Sequence, residues 1–255
     1  MKSKFAFAVF FTALSLVAQP SKSGATTGPA NSAPKSTNAP AVNLGAMFRK
    51  HWDDRVALFK EQNRAFTEKK SAPRNVVLLG DSITEGFDVA KHFPGKPVLN
   101  RGIGADIIGN ALPADDHRGI LRRLDNSVFD CAATDVFLLI GINDLGAGRK
   151  PDVMEKGYRE ILKRIHEGAP SVRVHVQSVL PTRDKYARHN APVREFNERL
   201  RKLAAEFACD YIDLNKLMLD EKGELKTEFT REGLHLKDPA YVVWRAEIFK
   251  TMKWN

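Results

Sequence analysis

Two stretches of the chain are apolar without alternation. Val76-Val77-Leu78-Leu79 and Val136-Phe137-Leu138-Leu139-Ile140 each run uninterrupted, and each stops at a glycine, Gly80 and Gly141. A strand with one wet face alternates polar and apolar side chains, whereas a strand covered on both faces does not. These two therefore belong to a parallel sheet buried beneath helices on both sides. Further strands are expected at Pro97–Asn100, Val172–Leu180 and Asp210–Leu214. Between them, helical spacing is read from Trp52 through Phe66, at Asp106–Leu112, His117–Leu124, Val153–Glu167, Val193–Phe207 and Asp238–Met252. Strand and helix alternate about five times, and no repeat period is visible. One α/β domain over residues 46–255 accommodates all of it.

The residues ahead of that domain read differently. Lys2 and Lys4 precede an apolar run from Phe5 to Ala18, shorter than the roughly 20 residues a membrane span needs and shaped like the start of an export signal. Residues 1–25 are read as a signal peptide, with two candidate cleavage sites, after Ala18 and after Ala25. Residues 26–45 are rich in Pro, Ser, Thr, Ala and Asn, and are read as a flexible linker that cannot bury enough surface to offset its ordering entropy. The expected location is periplasmic or extracellular. The formal charge of +9 is scattered among acidic residues on the helices, which favours a solvated surface over a nucleic-acid stripe. No nucleic-acid partner and no stable membrane insertion of the mature chain are expected. Two cysteines, Cys131 and Cys209, lie beside apolar runs and are read as unpaired thiols.

Chemistry collects where the strands end. The carboxyl edge of a parallel sheet is where such folds form their ligand crevice. The first strand delivers Ser82 there, the second Gly102 and the third Asn143. Ahead of the last helix, Glu232-Gly233-Leu234-His235 sets a carboxylate and an imidazole three residues apart. A hydroxyl, a base, a carboxylate to orient it and amide donors are the components of acyl transfer. His51, His92, His117, His166 and His189 have no acid at useful spacing, and His175 falls inside a strand and reads as an interior residue. Gly102-Ile103-Gly104 lacks the third glycine of a dinucleotide loop, no phosphate-loop ending follows Gly80, and no metal-ligand spacing occurs. No cofactor and no metal are expected.

Four blocks, Gly80-Asp81-Ser82-Ile83-Thr84, Asn100-Arg101-Gly102, Gly141-Ile142-Asn143-Asp144 and Glu232-Gly233-Leu234-His235, resemble in content and order the SGNH hydrolases, a branch of the GDSL esterases and lipases. The resemblance implies a flavodoxin-like three-layer α/β/α sandwich with a five-stranded parallel sheet. It also implies Ser82 as nucleophile, His235 as general base, and an oxyanion hole from the N–H groups of Ser82 and Gly102 with the Asn143 side-chain amide. Glu232 departs from the family's usual Asp. A carboxylate one methylene longer must sit differently to reach the imidazole, but it can hold a tautomer and stabilise an imidazolium equally well. Asp81 and Asp144 are expected to scaffold the site through backbone hydrogen bonds. The polar segment Pro181–Pro192 is the candidate substrate wall, with Arg183 and Tyr186 as substrate-binding residues beside Lys185 and Arg188. The phrasing Asn-Arg-Gly-Ile and Gly-Leu-His-Leu looks more like the acetylhydrolase and carbohydrate-esterase branch, which implies a short acyl group on a small-molecule or polysaccharide ester. A lysophospholipase or thioesterase, and a non-catalytic glycan-binding protein of the same fold, stay open.

Overall fold

The computed structural model of the chain describes residues 44–68, 74–110, 112 and 116–254. The signal-peptide and linker readings lie outside these residues, apart from Leu44 and Gly45, which begin the first helix. Five strands form one sheet: β1 (Asn75–Gly80), β2 (Val98–Gly102), β3 (Ala133–Leu139), β4 (Arg173–Gln177) and β5 (Asp210–Ile212). Their order is β2-β1-β3-β4-β5 and every pairing is parallel. Helices cover both faces, giving the flavodoxin-like α/β/α architecture. All six residues of β1 are buried, as are the last five of β3, which is why neither alternates.

The long helices are α1 (Leu44–Glu68), α6 (Pro151–Gly168), α7 (Asn190–Glu206) and α9 (Asp238–Met252). Short ones follow the strands: α2 (Ser82–Glu85), α3 (Val89–His92), α4 (Leu124–Ser127), α5 (Ile142–Gly146) and α8 (Leu214–Met218). Pro151 opens α6, where its missing N–H is no loss. The apolar stripe of α1 is buried at Trp52, Val56 and Phe59, which cluster with Ile103 just beyond β2. Among the described residues, no helix is long and apolar enough to cross a membrane.

Three local expectations are corrected. The described residues of Asp106–Leu112 form no helix, and His117–Leu124 holds only a 3₁₀ turn at Ile120–Arg122 and, at Leu124, the first residue of α4. Instead Ile120 N–H donates to Ile107 O at 2.9 Å and Leu121 N–H to Ile108 O at 3.2 Å, so the two segments bond each other. The Pro181–Pro192 segment carries a 3₁₀ helix at Asp184–His189, and α7 already begins at Asn190, with Pro192 tolerated in its first turn. The strand expected through Leu180 stops at Gln177. Beyond it, Ser178 N–H reaches Ile212 O, and the Asn197 side chain takes over the backbone bonds of Val179.

Candidate active site

In this strand order the chain reverses direction between β1 and β3, where doubly wound sheets open their crevice. Ser82 follows the first of these strands and Asn143 the second. Asp81 caps α2: its Oδ1 accepts the Ile83 N–H at 2.9 Å, so the chain turns sharply and Ser82 becomes the first helical residue. Its N–H lies at the helix N-terminus, where intrahelical partners are lacking.

Ser82 Oγ lies 3.1 Å from His235 Nε2, and His235 Nδ1 lies 2.5 Å from Glu232 Oε1. A carboxylate only accepts, so Nδ1 carries the proton and Nε2 is left to accept from the Ser82 hydroxyl. Glu232 reaches a residue three positions on because its chain folds back. The same Oε1 also takes the His235 backbone N–H at 3.0 Å. Burial pushes the Glu232 carboxyl up, but the bonds from the His235 ring and backbone outweigh it and hold the group below the usual glutamate range.

The loop bearing both residues is closed on itself. Thr230 Oγ1 accepts the Gly233 N–H at 2.8 Å and donates to His235 O at 3.0 Å, while Arg231 N–H donates to the same carbonyl at 3.0 Å. Gly233 has φ +96°, and a Cβ there would stand 2.4 Å from Arg183 O, so only glycine fits. Behind the loop, Tyr241 of α9 donates its hydroxyl to Ile83 O at 2.9 Å, tying the helix after His235 to the helix that carries Ser82.

Arg183 and Tyr186 lie behind this loop, which corrects the substrate-wall expectation. Arg183 N–H bonds Gly233 O at 2.8 Å, and its guanidinium is taken by Leu225 O, Glu224 and Asp220. Tyr186 is buried, its ring against Gly233. Both support the His235 loop from below, and an exposed polar composition did not reveal which way the segment faces.

Gly102 is the second correction. Its N–H donates to Asn100 Oδ1 at 2.9 Å, and so is already committed. The glycine is required for a different close approach: a Cβ would meet Glu85 N at 2.1 Å and Thr84 C at 2.6 Å, where β2 lies against α2. Further along, Ile103 N–H goes to Gly80 O, Gly104 N–H to Glu85 Oε2 at 2.6 Å and Asp106 N–H to Ile103 O. Between Gly102 and Asp106, Ala105 alone has an N–H without an acceptor among the described residues. Ala105 sits at φ +60°, a left-handed conformation that costs an alanine about 1–2 kcal/mol. The neighbouring carbonyl, Asp106 O, accepts from Asn143 Nδ2 at 2.9 Å, leaving that amide a second hydrogen. The donor that sequence reasoning assigned to Gly102 is thus available three residues later, at a residue type that gives no sign of it.

Three buried acids underlie the turn. Asp106 accepts from Arg123 Nε at 2.8 Å and from Trp52 Nε1 at 3.3 Å. Arg123, fully buried, also donates to Arg101 O, Gly80 O and Ser127 Oγ, joining the ends of β1 and β2. Asp144 Oδ2 accepts Ile108 N–H at 3.1 Å, and Arg149 stands 3.3 Å from its Oδ1. Burial pushes Asp81 and Asp144 up to about 7, against the backbone bond each accepts. His175 is interior, with Nε2 at 2.9 Å from Asp135 and Nδ1 at 2.9 Å from Asp210, at the opposite end of the sheet from Ser82. Cys131 and Cys209 are both free. A cleft of about 310 Å³ runs along the outer edge of β2 between Arg55 and Ala90, and neither Ser82 nor His235 lines it.

The sequence matches the GDSL-like Lipase/Acylhydrolase family over residues 78–243. No curated protein matches it significantly. Among solved structures, a Streptococcus pneumonia protein described in terms of platelet activating factor superposes with a TM-score of 0.71 at 23% identity, covering 83% of this chain and 96% of the other. A GDSL-like lipase from Bacteroides thetaiotaomicron gives 0.66 at 19% identity, covering 78% and 97%. Est24, a carbohydrate acetylesterase from Sinorhizobium meliloti, gives 0.57 at 15% identity, covering 71% and 99%. At these identities the likeness is one of fold.

Proposed function

The chain belongs to the GDSL-like lipase/acylhydrolase family, and on that premise we propose that it is an exported serine esterase removing short acyl groups, acetyl foremost, from carbohydrate. It is a carboxylic ester hydrolase. The observation that carries the finer reading is the continuous chain of contacts from Ser82 Oγ through His235 to Glu232 at the carboxyl edge of the sheet.

In this reading Ser82 Oγ attacks the ester carbonyl while His235 Nε2 takes its proton, and Glu232 stabilises the imidazolium that forms. The carbonyl oxygen becomes an oxyanion within reach of the Ser82 and Ala105 N–H groups and the Asn143 amide. His235 then protonates the departing alcohol oxygen, and water repeats the sequence on the acyl-enzyme to release the acid. Asp81 holds the start of α2, and Asp144 holds Ile108 beyond the turn. A short acyl group agrees with the absence of a long apolar lid segment in the sequence and with the fold shared with a carbohydrate acetylesterase.

Hydrolysis of p-nitrophenyl esters of increasing chain length tests the acyl group. Preference for acetate is expected, and preference for octanoate or longer overturns it. Acetate release from a panel of acetylated polysaccharides tests the alcohol. N-terminal sequencing of protein recovered outside the cytoplasm tests export, and an intact Met1 would sink cleavage.

A further inference from the structure

The turn after β2 is held from two helices at once. Glu85, one helical turn beyond Ser82 on α2, places Oε2 at 2.6 Å from Gly104 N–H. The same oxygen lies 3.0 Å from His51 Nε2, and Oε1 lies 3.5 Å from Arg55 Nε. Arg55 in turn donates to Gly102 O, from Nη2 at 2.8 Å and Nε at 3.2 Å. Trp52 grips the far end of the turn through Asp106. His51, Trp52 and Arg55 all belong to α1, which lies outside the residues matched to the family.

We propose that Glu85 is a positioning residue for the oxyanion hole, a strut that fixes the Ala105 N–H relative to the Ser82 N–H, with His51 and Arg55 of α1 holding the strut in place. The reading rests on the esterase mechanism above. Its logic is geometric. The two peptide donors belong to different elements, α2 and the turn after β2; the β1–β2 ladder and the Ile103 N–H bond to Gly80 O tie these elements only as far as Ile103, short of Ala105. An oxyanion hole works only if its donors stand about 2.7–3.1 Å from the developing charge. Among the described residues, Glu85 is the one side chain that starts on the nucleophile's helix and bonds the backbone N–H of Gly104, the residue before Ala105. By accepting the Gly104 N–H it also leaves the next N–H as the uncommitted one. The strained backbone at Ala105 needs such an outside constraint, because an alanine released from it would relax to negative φ.

The test uses the full-length protein and its Glu85→Ala, Glu85→Gln and His51→Ala variants, with Ser82→Ala as reference. kcat and KM for p-nitrophenyl acetate are measured beside the Ki of a trifluoromethyl ketone, which forms a tetrahedral oxyanion on the serine. Glu85→Ala is expected to lose about 10²-fold in kcat, the scale of a small misplacement of a reacting group. KM should stay within about twofold, and ketone affinity should fall in step with kcat. Glu85→Gln keeps an oxygen to accept the Gly104 N–H and should recover most of that loss, while His51→Ala should show the same pattern weakly. The proposal is overturned if Glu85→Ala keeps wild-type kcat, if its ketone affinity is unchanged, or if Glu85→Gln is as impaired as Glu85→Ala. If the alanine variant does not fold, the glutamine and His51 variants decide on the same readouts. An active Ser82→Ala protein would instead remove the underlying mechanism, whatever the Glu85 variants do.

Discussion

Glu232 accepts twice from His235 through a single oxygen: the ring Nδ1 at 2.5 Å and the backbone N–H at 3.0 Å. The longer carboxylate thereby reaches the imidazole by folding over its own turn, and Gly233 makes that fold possible. The backbone bond holds the carboxylate independently of the ring, so the imidazole has a preorganised partner.

Glu232→Gln should therefore cost about 10²–10⁴ in kcat, since an amide can still orient the ring but cannot balance the imidazolium. KM should hardly move. Glu232→Asp should fall between, because the shorter side chain cannot make both bonds from the same backbone. Steady-state kinetics on p-nitrophenyl acetate decide it, and a glutamine variant with unchanged kcat would remove Glu232 from the mechanism.

The buried acids set a pH dependence of stability. Burial raises Asp81 and Asp144 from 3.8 to about 7. Between these values the folded protein holds protons that the unfolded chain has released, so stability falls as pH rises through the window and levels off above it. A rise of this size corresponds to at most roughly 4 kcal/mol per carboxyl. Asp81→Asn keeps an oxygen for the Ile83 N–H and removes the titration. Its melting temperature should therefore decline less between pH 5 and 8 than the wild type's. Parallel curves would mean that Asp81 is ionised throughout.

Much of this site could be read before folding, for physical reasons that differ by residue. An apolar run that ends in glycine marks both a buried strand and the point where its polar follower emerges, and this brought Ser82 and Asn143 to one edge. The short Glu232-to-His235 spacing is local, so pattern alone pairs them. Ala105 was not legible, because a left-handed backbone at alanine leaves no trace in composition, and the family resemblance set the donor at Gly102, three residues earlier. His51 was set aside for lack of a nearby acid, yet its partner, Glu85, is 34 residues away. Arg183 and Tyr186 were misplaced because polarity tells that a segment meets water somewhere, not which side chains turn inward.

Asn143 reaches the turn through Asp106 O. Asn143→Ala should lower kcat by about 10²–10³ with little change in KM, the usual loss for one oxyanion donor. The ketone inhibitor should weaken by the same factor. A loss confined to KM would instead place the side chain in ground-state binding.

Arg123 is fully buried and donates to Asp106, Ser127 and the carbonyls of Gly80 and Arg101. Lysine cannot reach four acceptors from one point, and removing one partner of a buried pair typically costs about 3–5 kcal/mol. Arg123→Lys should lose a substantial part of that in urea unfolding. A variant as stable as wild type would show that the cluster is not a stabilising hub.

Gly102 separates two accounts of one residue. If its peptide faced the reacting carbonyl, as the sequence motif suggests, alanine there would obstruct substrate and raise KM in a stable protein. In the structure its N–H is held by Asn100, and the space a Cβ would need is occupied by the backbone of Thr84 and Glu85. That neighbour is main chain and cannot rotate aside, so β2 and α2 must separate. Overpacking of this kind costs about 1–3 kcal/mol or more. The separation also moves Ser82 relative to His235, a displacement that acts on kcat. Gly102→Ala should thus lower the melting temperature and kcat together while KM for p-nitrophenyl acetate stays near its original value. A stable variant with a raised KM would return Gly102 to the oxyanion hole and take Ala105 out of it.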